Sequence, residues 1–177
     1  MMNERQILEG CLKNDKLSQK MLFDKYSGML MGLCIRYASD IPEAEDILQE
    51  SLLKIYLNVK NYSGEGSFIG WMRRIVINTA ITSYHRNLKH KHYVEIDEVY
   101  SGEAGRESIP DTEYTAEELQ KVLDLLPSGY KIIFNLYAIE GYKHKEIAEM
   151  LNIDVNTSKS QYSRARAYLR RKLEDYK

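Results

Sequence analysis

The sequence predicts an all-α protein, two helical domains joined by a flexible acidic linker, and three observations predict it. Apolar residues recur at three- and four-residue spacing through most of the chain, while the alternating pattern of strands is almost absent. The three prolines and ten glycines fall where helices would start or stop. Charge is sorted into blocks. Trp71 to His92 carries Arg73, Arg74, Arg86, Lys89 and Lys91 with no acid. Val94 to Glu118 carries Glu95, Asp97, Glu98, Glu103, Glu107, Asp111, Glu113, Glu117 and Glu118 against a single Arg106. The domain ranges that follow are 1–92, a linker over 93–112, and 113–177.

The elements follow in chain order. A first helix is predicted from Glu4 to about Lys13, and a second from Leu17 to Tyr37, with Met21, Leu22, Tyr26, Met29, Leu30, Leu33 and Cys34 at helical spacing. Pro42 suits a first turn, behind Ser39 or Asp40 as the cap. The third helix then runs to about Lys60 with Ala44, Ile47, Leu48, Leu52, Ile55 and Tyr56 inward. Asn61 to Ser67 is a glycine- and serine-rich loop before a long helix from Phe68 to about His90. Beyond the acidic segment, Thr115 and Glu118 form a capping box for a helix to Leu126, and Pro127 starts another, from Tyr130 to Glu140. After Gly141, Ile147, Ala148 and Leu151 mark a short helix. Asn152 can end it in the left-handed conformation and Asp154 can cap the last helix, Val155 to Lys172.

The chain has 177 residues, 44% of them hydrophobic, enough for two small cores. Its 25 Lys and Arg nearly balance 26 Asp and Glu, which taken as an average argues against a nucleic-acid partner; the segregation reverses that reading. Cys11 and Cys34 are too few for a disulfide framework or a zinc ribbon. The start, Met-Met-Asn-Glu-Arg-Gln, lacks a secretory pattern, and the longest apolar run, near Met29 to Ile35, is far below the ~20 residues of a membrane span. The expectation is a cytoplasmic protein.

The last two helices have the form of a helix-turn-helix whose second helix enters a major groove. Lys159, Arg164, Arg166, Arg170, Arg171 and Lys172 lie on it with no acid, and Ser158, Tyr162, Ala165 and Leu169 form its inward stripe. Asn156 and Lys159 are the candidates for base edges, because amide and ammonium groups match adenine and guanine. Arg164, Arg166, Arg170 and Arg171 suit phosphates. Thr157, Ser160 and Ser163 complete the candidate face.

A second constellation is the helix after the glycine loop. Arg74, Asn78, Ile81 and His85 lie on one stripe, and Phe68, Met72, Ile75 and Thr79 on another. With Tyr62 and Phe68 flanking the loop, a cationic surface beside aromatic rings suits single-stranded DNA. The bland alternative is that Phe68 and Trp71 are core anchors, and Trp71 is assigned there. The third constellation is the acidic face of Glu43, Asp46 and Glu50, with Gln49 beside it. Such a face cannot meet DNA, so it takes a basic protein or water.

These blocks, in this order, resemble the sigma-70 family of bacterial transcription initiation factors, in its shortest, extracytoplasmic-function type. Ala44-Glu45-Asp46-Ile47-Leu48-Gln49-Glu50 is similar to the family's core-polymerase motif. Ser67-Phe68-Ile69-Gly70-Trp71-Met72-Arg73-Arg74-Ile75 with Asn78 is similar to its S-F-x-x-W-L-x-R-I-x-x-N element. Leu126-Pro127, Glu140-Gly141, Glu146-Ile147-Ala148, Thr157-Ser158-Lys159-Ser160 and Arg164-Ala165-Arg166 are similar to its fourth region. The resemblance implies a region 2 bundle and a region 4 helix-turn-helix. It implies that Glu43, Asp46, Gln49 and Glu50 bind the clamp helices of the largest polymerase subunit. Asn61, Tyr62, Ser63, Gly64, Glu65, Gly66 and Ser67, with Asn78, would receive a flipped base of the −10 element, and Arg73 and Arg74 would support strand separation. Asn156, Thr157, Lys159, Ser160, Ser163 and Arg164 would contact the −35 element. The linker would thread toward the RNA exit path, the polymerase flap would be a further contact, and an anti-sigma protein would hold the factor silent. Thr82, His85, Gln161 and Ser158 depart from the family's usual Asp, Arg, Arg and inward Val.

Enzymatic chemistry is not expected. His85, His90 and His92 lack an acidic or thiol partner at ligand spacing, so no metal is expected, and no cofactor-binding glycine loop or acid–base pair stands out. Two rivals remain: a stand-alone helix-turn-helix regulator whose N-terminal bundle senses a ligand or dimerises, and a DNA-processing enzyme such as a recombinase.

Overall fold

A computed structural model describes residues 4–90 and 115–174. The expected linker at 93–112 and His92 lie outside the described residues. The described elements are α1 (Glu4–Leu12), α2 (Lys16–Tyr37), α3 (Ile41–Asn58) with a 3-10 turn at Val59–Asn61, α4 (Phe68–His90), α5 (Ala116–Asp124), α6 (Ser128–Phe134), a π-helical segment (Asn135–Ile139), α7 (His144–Leu151) and α8 (Val155–Glu174). The chain separates into two compact units, Met1–Ser83 and Tyr84–Lys177, so the division falls within α4.

In the first unit the helix starts are set by short polar side chains, as the sequence predicts for α3 but not for α2. The Asp15 carboxylate accepts from the Ser18 amide at 2.8 Å and the Ser18 hydroxyl at 2.6 Å, and that hydroxyl holds the Asp15 carboxyl below its ordinary range. Asp40 rather than Ser39 caps α3, accepting from the Glu43 amide at 2.8 Å with Pro42 in the first turn. α2 packs against α1 and α3, burying Leu22, Tyr26, Leu30, Leu33 and Cys34 along the predicted stripe. Met29 lies beside that stripe and is exposed. Tyr56 is half-buried rather than fully inward, because its hydroxyl donates to the Gln19 carbonyl at 3.1 Å and ties α3 to α2.

α4 departs most from expectation. Phe68, Met72, Val76, Ile77, Thr79, Ala80 and Ile81 are all buried, so Ile81 belongs to the core and not to the stripe of Arg74 and Asn78. Trp71 is only half-buried and stacks on Phe68, with centroids 5.5 Å apart and planes at 18°. Phe68 is the core anchor and Trp71 its cover.

Cys34 is fully buried, and burial pushes its thiol up to about 12. Cys11 is buried too, and its thiol is also raised, first by burial and then by Asp15. Native protein near pH 8 should therefore react with a disulfide reagent at least about 100-fold slower than a free thiol. Both thiols should become reactive together in denaturant. A rapid native reaction at either would contradict this packing.

The second unit is gathered around α8, which contacts α5, α6 and α7. Val122, Leu126, Ala165, Leu169 and Leu173 form a cluster, with Leu123, Tyr130, Phe134 and Tyr168 packed against it. Thr115 and Glu118 make the predicted reciprocal cap, at 3.2 Å and 2.8 Å. The expected helix to Glu140 instead ends as α6, and the π-helical segment follows it. The wider turn buries both Asn135 and Leu136, and the chain leaves through Gly141 at φ +79°, a conformation that favours glycine.

Candidate nucleic-acid interface

The turn between α7 and α8 forms as its residues dictate. Glu146 reaches back to the Lys143 amide at 2.7 Å, which fixes the start of α7. Asn152 ends that helix at φ 53°, ψ 49°, in the left-handed region. Asp154 then accepts from the Asn156 amide at 2.7 Å, its charge placed favourably at the N-terminus of α8. Ile147, Ala148 and Leu151 are buried beneath the turn. Asn156, Lys159 and Ser160 are exposed on the first turns of α8, whereas Thr157, Ser163 and Arg164 are half-buried. The Ser160 hydroxyl is engaged with the Thr157 carbonyl at 3.0 Å. Arg166, expected at phosphate, lies over the Tyr162 ring at 6.0 Å.

Ser158 is fully buried, and its hydroxyl oxygen lies 2.9 Å from His144 Nδ1, one hydrogen bond whichever group donates. The His144 ring stacks on Tyr137, centroids 4.2 Å apart and planes at 14°, with Tyr162 5.8 Å away. Burial first, and then the charge of Lys159, lower the His144 imidazole below its ordinary value. Sequence reading missed this cluster. Its one signal was the polar Ser158 on an otherwise apolar stripe.

In the first unit the loop 61–67 is exposed except for Tyr62, which is half-buried. Tyr62 donates to the Gly66 carbonyl at 2.9 Å and lies 5.1 Å from the Phe68 ring and 5.7 Å from Trp71. Gly64 and Gly66 sit at φ +78° and +77°. Ser63 accepts from the Glu65 amide, and Ser67 accepts from the Gly70 amide at 3.3 Å, so Ser67 starts α4. Asn61 donates to Asn58 at 3.1 Å. Arg74 and Asn78 are exposed on α4, and Arg73 is half-buried. Phe68, expected as an aromatic flank, is 2% exposed and can present no face to a base. Tyr62 and Trp71 are the rings left at the loop.

The acidic face of α3 is split. Asp46 and Gln49 are exposed, and their side chains make no hydrogen bond or ion pair among the described residues. Glu43 accepts from the Ser39 amide at 2.7 Å and from the Ser83 hydroxyl at 3.0 Å. Glu50 pairs with Lys54 at 2.8 Å, and Lys54 also donates to the buried Thr79 at 3.1 Å. Glu43 therefore also braces α3 against α4, and Glu50 holds the lysine that does the same, pairings that sequence spacing does not reveal. Among the described residues no group of three or more His, Cys, Asp or Glu is placed to hold a metal, and no helix is long and apolar enough to cross a membrane.

This arrangement has known relatives. Residues 22–89 match the family Sigma-70 region 2, and residues 116–169 match Sigma-70, region 4. The ECF RNA polymerase sigma factor SigW of Bacillus subtilis is 30% identical over 175 residues, covering 92% of this chain and 92% of the relative. The chain belongs to the sigma-70 family, as an ECF sigma factor. The ECF RNA polymerase sigma-E factor of Haemophilus influenzae is 29% identical over 185 residues, 98% of this chain and 96% of that one. The fold of this sigma factor is also that of solved structures. One is the sigma factor RpoE in complex with the anti-sigma factor NepR from Bartonella quintana, with a TM-score of 0.54, 19% identity and coverage of 88% and 96%. Another is CnrH in complex with the cytosolic domain of CnrY, with a TM-score of 0.50, 16% identity and coverage of 97% and 97%.

Proposed function

We propose that this ECF sigma factor, acting in the cytoplasm, directs core RNA polymerase to a small promoter set through separate polymerase-facing and DNA-facing surfaces. The observation that carries the reading is the sorting of charge: exposed Asp46 and Gln49 on α3, and exposed Asn156 and Lys159 at the start of an acid-free stretch of α8. Asp46 and Gln49, with Glu43 and Glu50 at their sides, dock on the clamp helices of the largest polymerase subunit, and region 4 meets the flap. Asn156, Thr157, Lys159, Ser160, Ser163 and Arg164 hold the −35 element as duplex. Loop 61–67, with Arg73, Arg74 and Asn78, receives a −10 base that has left the stack. Unstacking costs a few kcal/mol and is offset only within the polymerase complex. The domain ranges we infer are 1–92 for region 2, 93–112 for the linker and 113–177 for region 4. The factor needs no cofactor, and bond formation belongs to the polymerase. By analogy with relatives crystallised with anti-sigma factors, a partner of that kind holds it silent.

Run-off transcription with purified core polymerase on genomic fragments tests the reading. A discrete set of new start sites supports it. Tight binding of free duplex without polymerase, and no activity with it, would favour the stand-alone regulator instead.

The loop gives a narrower expectation. A Cβ at Gly64 or Gly66 would meet nothing within 4 Å, so substitution strains only the backbone. Gly66→Ala should cost about 1–2 kcal/mol in the observed loop conformation. Permanganate reactivity of the −10 region should fall severalfold while core binding is unchanged. Full opening by the variant would show that the loop geometry is not used.

A further inference from the structure

The second unit holds a titratable group that the reading above leaves without a task. His144 opens α7, but its ring is directed at α8, where its Nδ1 meets the hydroxyl of the fully buried Ser158 at 2.9 Å. Ser158 lies between Asn156 and Lys159, the two residues assigned to base edges. Tyr137, from the π-helical segment, covers the other face of the ring at 4.2 Å, and Tyr162 closes the edge. One imidazole thus joins three elements directly beneath the first turns of α8.

We propose that His144 is a positioning residue for promoter recognition: stacked on Tyr137 and hydrogen-bonded to Ser158, it sets the seat from which Asn156 and Lys159 reach the DNA. The inference rests on α8 reading the −35 element. A base contact is worth its full value only when the side chain arrives within a fraction of an ångström of the base edge. A serine at an inward position would otherwise be a polar defect, and the imidazole converts it into a fixed joint.

The joint works with neutral imidazole. The ring meets Tyr137 from the π-helical segment and Tyr162 from α8, and the charge of Lys159 on α8 reaches it. Lys159 repels a proton on the ring. His144 in the joint therefore ionises below its ordinary value of 6.5, and a released His144 ionises near it. The joint is fully favoured above that ordinary value and weakens as pH falls through and below it. The result is an acid-sensitive recognition helix.

The test is run-off transcription by reconstituted holoenzyme from a promoter with an intact or a scrambled −35 element, from about pH 7.5 to about pH 5.5. The ratio of the two transcripts cancels the pH dependence of the polymerase itself. For the unsubstituted factor the ratio should fall about threefold to tenfold across the range. His144→Ala and Ser158→Ala should show a comparable fall already at the upper pH. His144→Asn should restore the ratio and keep it flat, because its amide sits where Nδ1 meets Ser158 and cannot ionise. A flat ratio for the unsubstituted factor, or an acid loss in His144→Asn as steep as without substitution, would overturn the proposal. If scrambling has no effect at the upper pH, what fails is the assignment of α8 to the −35 element.

Discussion

Asp46→Arg should abolish assembly with core polymerase while leaving the fold untouched. The side chain is exposed and makes no hydrogen bond or ion pair among the described residues, so its replacement removes no internal interaction. In the complex the new guanidinium would face the basic partner that an acidic α3 selects, and a like-charge juxtaposition across an interface costs several kcal/mol. At about 1.4 kcal/mol per decade, affinity should fall about 100-fold or more. Thermal melting should be unchanged. The comparison with Glu43 sharpens the test, because Glu43→Ala also frees the Ser39 amide and the Ser83 hydroxyl and should lower stability as well as binding. Normal assembly of Asp46→Arg would mean that polymerase docks elsewhere.

The sequence foretold helix positions better than faces, and particular residues show why. Caps are local: Asp15, Asp40, Thr115 with Glu118, Asn152 and Asp154 act within a few residues of themselves, and the helix ends fall close to where they were expected. The faces of α4 are a tertiary matter. Ile81 lies only about 20° around the helix from Arg74, at the edge of the apolar arc, so periodicity alone allowed it to ride with Arg74 and Asn78; burial decides otherwise. Phe68 beside a glycine loop has the composition of a base-stacking site, and only packing against Tyr26, with rings 6.0 Å apart, shows it to be an anchor. The π-helical segment changes register without any change in composition. His144 and Ser158 are separated by 14 positions, a pairing that no local pattern can signal. What stayed hidden is the set of contacts made across elements.

The double substitution Asn156→Ala with Lys159→Ala should cost the holoenzyme most of its promoter discrimination. Each side chain is exposed on the leading turns of α8. The Asn156 interaction that starts the helix runs through its backbone amide to Asp154, so truncating the side chain keeps the cap. A well-placed contact to a base edge is worth about 1–3 kcal/mol of discrimination, and two together should lower transcription from the intact promoter about 30-fold or more. On a promoter with a scrambled −35 element the same variant should lose little, because the base contacts are already absent. Arg164→Ala supplies the contrast. A phosphate contact lowers binding alike on every sequence and reduces the salt dependence by about one unit of slope. If the double variant instead weakens intact and scrambled promoters equally, Asn156 and Lys159 hold the backbone, and promoter choice must come from the shape of the DNA or from the loop of region 2.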